Sequence, residues 1–159
     1  MRKGMAWFLG ALLVAAGCNF SGFPAVGTKA TPSDNKILSD GVTGPDLCTL
    51  EPFTDGVLHR TTLKQALESH TPVVVMFGTP QHCTQCVDQI RRLTALAEKY
   101  QGSVAFIHID AYKDTRIIRE WLIKGEPWTG LIDRDGVIRF VFHGPTLDQE
   151  IEPKIQELL

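Results

Sequence analysis

The 159-residue chain predicts an α/β fold: a mixed central sheet with helices on both faces, closed by a C-terminal β-hairpin plus helix. Three observations carry this. Two short continuous apolar runs, Val73–Phe77 (VVVMF) and Val104–Ile109 (VAFIHI), read as strands buried on both faces of a parallel sheet. Stretches of helical period flank them, as strand–helix units require. The order then changes to two apolar segments joined by the turn Asp133–Gly136 (DRDG), which predicts a hairpin.

Each element has a local reason. In Thr61–Ser69, Leu63, Ala66 and Leu67 share one helical face behind a Thr cap, and Pro72 ends the segment. From Cys83 to Tyr100, Ile90, Leu93, Ala97 and Tyr100 recur at helical spacing, and Gly102 stops the run. A helix over Asp114–Ile123 would turn Ile117, Ile118, Trp121 and Leu122 inward and end at Gly125. Trp128–Ile132 and Val137–Phe142 are the hairpin strands. The closing helix spans about Leu147–Leu159; Pro153 predicts either a start near Ile151 or a kink. A weak first strand is expected around Phe53–Leu58.

The chain divides into three parts. Residues 1–18 open with Arg2 and Lys3 and continue with an apolar run of 13 residues, Met5–Gly17. Spanning a bilayer takes about 20, so the run reads as a signal peptide. It ends LVAAGC and resembles a bacterial lipobox, in which Cys18 would be lipidated and become the new N-terminus; Ala15 stands where Leu is usual. Plain export and a retained helical anchor are the alternatives, and all three place the domain outside the cytoplasm. The expected location is therefore an extracytoplasmic membrane surface, periplasmic or outer. Residues 19–45 are rich in Gly, Pro, Ser and Thr with few large apolar side chains, and read as a flexible tether. Residues 46–159 form the domain.

Composition excludes some classes of function. Hydrophobic content of 43% and charged content of 21% are ordinary for a globular protein. The formal net charge is −2, which gives no footprint for nucleic acid. Loss of Arg2 and Lys3 would leave 14 of the 16 basic residues against 18 acidic ones, so no polybasic patch supplies a second membrane anchor. Four cysteines are too few for a disulfide scaffold.

The informative segment is GTPQHCTQC, Gly78–Cys86. Cys83 and Cys86 stand two residues apart between a buried strand and the start of a long helix. A helix start offers unpaired N–H groups and a partial positive charge, which stabilise a thiolate and lower its pKa from about 8.5. Cys83, at the terminus, is the nucleophile by position. Cys86, one turn in, is placed to attack a mixed disulfide and release product. A purely structural disulfide closing so small a loop would contribute little stability.

Strand, Cys-x-x-Cys at a helix start, strand, helix, a proline before a hairpin, and a final helix: the whole resembles the thioredoxin-like family, of the exported thiol–disulfide oxidoreductase type. EPWTGLIDRDG is similar to the family segment that carries a cis-proline, with Pro127 at that place and Gly136 at the turn. The resemblance covers about residues 45–159. It implies a catalytic pair Cys83 and Cys86, with Pro127 beside it keeping the neighbouring backbone open to an extended substrate and excluding metal. It implies no organic cofactor, only the redox-active disulfide, and it leaves the direction of electron flow open.

The departures are His82 where Trp often precedes the first cysteine, Thr84-Gln85 between the cysteines, Met76 and Phe77 where a buried acid is common, and Glu126 before the proline. His82 and Glu126 are the candidate pKa-tuning residues: His82 either as a cation beside Cys83 or as a neutral loop residue, Glu126 either as a replacement proton carrier or as a solvated carboxylate. His108 and His143 read as structural.

The expected partners are exported proteins with thiols or disulfides, a redox partner that exchanges electrons with the pair, and the membrane through the lipid anchor. The alternative function is a copper(I) chaperone or other metal carrier of the same fold, since soft thiolates suit Cu(I); His82 or His143 would be its third ligand. A zinc site would need Cys48 plus a histidine to complete the Cys-x-x-Cys half. A non-catalytic binding module is the third class. Cys48 reads either as a small buried apolar residue or as a third redox thiol open to a partner protein.

Overall fold

The computed structural model describes residues 24–39 and 41–159; the predicted signal segment and Cys18 lie outside the described residues. A short helix α1 (Gly44–Leu47) and a 3-10 turn (Gly56–His59) precede α2 (Leu63–Glu68). Then follow β1 (Val73–Phe77), α3 (Thr84–Lys99), β2 (Ala105–Ile109), α4 (Thr115–Glu120), β3 (Trp128–Ile132), β4 (Ile138–His143) and α5 (Asp148–Gln156).

The sheet order is β2-β1-β3-β4. β1 runs parallel to β2 and antiparallel to β3, and β3–β4 is the expected hairpin. Every residue of β1 is buried, because alternate side chains enter two separate cores. Val74 and Met76 pack with Leu93 of α3 and Ile151 and Ile155 of α5. Val73, Val75 and Phe77 pack with Leu63 of α2, Ile117 of α4 and Trp121 at its end. Each fully buried side chain of this size is worth about 1.5–3 kcal/mol, so the two-sided strand is the mechanical centre of the domain. The predicted mixed sheet with helices on both faces is what the structure shows.

Four details differ from the sequence expectation. Phe53–Leu58 does not form a strand. The 3-10 turn at Gly56–His59 takes its place, and it carries Asp55 and His59, four residues apart, into a mutual contact. Helix α4 stops at Glu120, and Leu122 adopts φ 54° and turns outward with 43% exposure. Pro153 does not delay the last helix to Ile151, the first of the two expected outcomes: the helix starts at Asp148 and continues through the proline, which removes one N–H from the ladder on a helix whose Ile151 and Ile155 are held in the core.

The fourth concerns the stretch read as a tether. Gly27 and Ala30 donate backbone hydrogen bonds to Ile138 and Gly136 (2.8 Å each). The Trp121 indole donates to Ser33 Oγ (2.9 Å), and Asn35 Oδ1 accepts the N–H of Leu63 (2.7 Å). Leu63 opens α2, where a backbone N–H has no partner within the helix. Small polar residues that make a chain look like a linker thus serve here as partners for buried donors. Asn35→Ala should lower the unfolding free energy by about 1–2 kcal/mol, through the orphaned Leu63 N–H, in urea titrations read by fluorescence. An unchanged midpoint would mean that this arm is not docked.

Candidate active site

Cys83 is the N-cap of α3, and its Sγ accepts the N–H of Cys86 (3.1 Å). The two sulfurs form a disulfide with a Cα–Cα distance of 5.1 Å. Their environments differ. Cys83 is half-buried and lines a groove of about 630 Å³ with His82, Thr84, Gln85 and residues 123–126; Cys86 has 0% exposure. Gly78 makes this possible, because a Cβ there would lie 2.6 Å from the Met76 methyl and 3.1 Å from Cys86 Sγ.

The Glu126–Pro127 peptide is cis, and Pro127 is buried. Glu126 is not a free loop carboxylate. Thr79 donates its N–H to Oε2 (2.8 Å) and its hydroxyl to Oε1 (3.0 Å). His82 Nε2 lies 3.6 Å from Oε2, so both candidate tuning residues stand together at the rim of the groove. The Thr79 carbonyl accepts the N–H groups of His82 (3.3 Å) and Cys83 (3.2 Å), and its hydroxyl oxygen accepts the N–H of Ala111 (3.3 Å). One threonine therefore ties together the cysteine loop, the proline loop and the segment after β2. No local pattern marks it, because a Thr two residues after a strand carries no signal of its partners.

A second polar group lies beneath, in the core. Asp55, His59, His108 and Cys48 are all buried. Burial pushes the His108 imidazolium down, but its hydrogen bonds to Asp55 and Cys48, with their charge, outweigh this and raise its pKa to about 10. Burial pushes the Asp55 carboxyl up, and the hydrogen bonds from His108 and His59 overcome this and hold it well below the usual range. Burial lowers His59 and raises the Cys48 thiol. With 2% exposure, Cys48 is not open to a partner protein, which corrects that reading; it is buried in the core cluster with Leu50 and Leu58, as the other reading expects, and also adjoins the Asp55–His108 pair. Among the described residues, neither His82 nor the exposed His143 joins the cysteine pair in a group of three ligands.

A family model described as thioredoxin matches residues 56–157. The chain belongs to the thioredoxin family. Among solved structures, chloroplastic thioredoxin z is 23% identical over 60% of this chain and 86% of that one, with a TM-score of 0.54. Deadhead (Thioredoxin-1) from Drosophila melanogaster is 18% identical over 60% and 87%, with a TM-score of 0.51. These two likenesses bear on the fold. A search of curated proteins found no match. Family membership and the close Cys83–Cys86 pair support an activity of the thiol–disulfide oxidoreductase type.

Thr79→Ala removes the hydroxyl shared by Glu126 and Ala111, and should cost about 1–3 kcal/mol of stability in chemical denaturation. Thr79→Ser, which keeps the hydroxyl, should recover most of the loss.

Proposed function

We propose that this protein exchanges disulfides in exported proteins while tethered to a membrane outside the cytoplasm. The observation that carries the exchange reaction is the unequal burial of the two sulfurs: Cys83 faces the groove, whereas Cys86 has 0% exposure. Only Cys83 is placed to meet a protein-sized disulfide. In the reducing direction the Cys83 thiolate, favoured by the N-terminus of α3, attacks one substrate sulfur and expels the other as a thiolate. The Cys86 thiolate then attacks Cys83 Sγ, closing the Cys83–Cys86 disulfide and releasing the second substrate thiol. Two electrons pass to the substrate; run backwards, the same steps oxidise it, and a second redox protein resets the pair.

Residues 123–126 form the opposite wall in this reading, with the buried Pro127 directly after them. The Thr79 clamp holds Glu126, and so the proline loop, in register with the cysteine loop. The groove is open and polar at His82, Lys124 and Glu126, which suits an extended peptide rather than an enclosed small molecule. The extracytoplasmic setting rests on the sequence of residues 1–18, the basic start, apolar run and LVAAGC. No helix among the described residues is long and apolar enough to cross a membrane.

Cys86→Ser leaves the attack intact and blocks release. It should accumulate mixed disulfides through Cys83 in an extract of exported proteins, seen as reductant-sensitive bands on gels, and Cys83→Ser should form none. An empty trap with the folded variant would sink the exchange role. Cys18→Ser should release the protein from the membrane fraction; continued attachment would show that the apolar segment itself is the anchor.

A further inference from the structure

The buried group beside β2 has the chemistry of a second site. It draws on four places in the chain: Cys48 after α1, Asp55 before the 3-10 turn, His59 at its end, and His108 in β2. Their ligating atoms all lie within 4.8 Å of one another. Asp55 Oδ2 accepts from both His59 Nε2 and His108 Nδ1, each at 2.9 Å, and those two nitrogens are 3.4 Å apart. His108 Nε2 donates to the Gly78 carbonyl (2.8 Å), and Cys48 Sγ accepts the Leu50 N–H (3.3 Å).

Hydrogen bonding alone leaves this group incomplete. Asp55 has 0% exposure, yet its Oδ1 has no partner. Leaving a buried carboxylate oxygen unpaired is costly, and an apolar replacement of a buried ion pair is often at least as stable. An orphaned acceptor, a thiol and two imidazoles converging on one point instead describe a ligand set.

We propose that Cys48 Sγ, Asp55, His59 Nε2 and His108 Nδ1 bind one zinc-class divalent cation. Mixed S, N and O donors suit Zn²⁺, and a thiolate with a carboxylate neutralises its charge, as burial demands. With bonds of about 2.0–2.3 Å, tetrahedral geometry puts donor atoms roughly 3.3–3.8 Å apart, so the 2.9 Å contacts to Asp55 Oδ2 open by less than about 1 Å and the widest separation, within 4.8 Å, closes by about 1 Å. The His108 bond to Gly78 is the outer hydrogen bond that metal-bound histidines make. Binding displaces the Cys48 thiol proton and the Nδ1 proton of His108, while the His59 proton moves from Nε2 to Nδ1; two protons leave per cation and nothing is oxidised. A groove of about 540 Å³, lined by Cys48, Thr49, Pro80 and Val87, gives the route in. The ion staples residues 48–59 to β2 and, through Gly78, to the loop bearing the redox pair. Cys83 and Cys86 are outside the group, so the site does not depend on the exchange activity.

The test uses the full chain carrying Cys18→Ser with the Cys83–Cys86 disulfide kept oxidised, so that Cys48 is the sole free thiol. Cobalt(II) should bind one per chain, with a thiolate-to-cobalt charge-transfer band and the visible bands of a tetrahedral site, and equimolar zinc should bleach them. Cys48→Ser should abolish the charge-transfer band, and His59→Gln or His108→Gln should weaken binding at least about tenfold. Absence of one-to-one binding, or a band that survives Cys48→Ser, overturns the proposal. Should these variants fail to fold, as judged by circular dichroism, the decision passes to the chain with the group intact. Zinc, and not magnesium, must then raise its thermal midpoint; equal midpoints overturn the proposal.

Discussion

The burial of β1 on both faces is the constraint on which the site depends. Five consecutive apolar residues are shared between two cores, and a strand held in that way has little freedom to slide or tilt. Its end delivers Gly78 and Thr79 to one fixed place. From there Thr79 takes hold of the cysteine loop through its carbonyl and of Glu126 through its N–H and hydroxyl. The loop leading into the cysteine pair and the Glu126–Pro127 loop are irregular segments, yet both are referred to the stiffest element of the domain.

The same strand end joins the groove to the buried polar group. Gly78 is packed under Cys86 on one side, and its carbonyl accepts from His108 on the other. Phe77 and Met76 leave the strand without an acid. Charge enters the core instead from Asp55, outside the sheet, balanced by His108 on β2. The chain thus has a buried carboxylate beside Cys48, supplied by a different element and linked through His108 to Gly78. The groove side and the core side meet at a single glycine.

Much of the fold was legible from local pattern. The runs VVVMF and VAFIHI, the helical period after Cys83 and the DRDG turn each report on neighbours in sequence, and each element formed within a residue or two of its expected bounds. The elements that depart from local pattern answer to distant partners. Leu122 turns out because α4 ends at Glu120. The segment at Asp55–His59 winds because its carboxylate reaches His108, 53 residues away. Ser33 and Asn35 look like linker residues until Trp121 and Leu63 are found to need them.

By itself the sequence determined the layer architecture and the placing of a Cys-x-x-Cys pair at a helix start, because hydrophobic period and helix-terminal chemistry are properties of contiguous residues. Only the tertiary structure decided that Cys86 is sealed and Cys83 open, that Glu126 is clamped rather than solvated, and that Cys48, Asp55, His59 and His108 converge. Burial and convergence depend on which segments the sheet brings together, and residues 48, 59 and 108 lie too far apart in the chain for any local pattern to record their meeting.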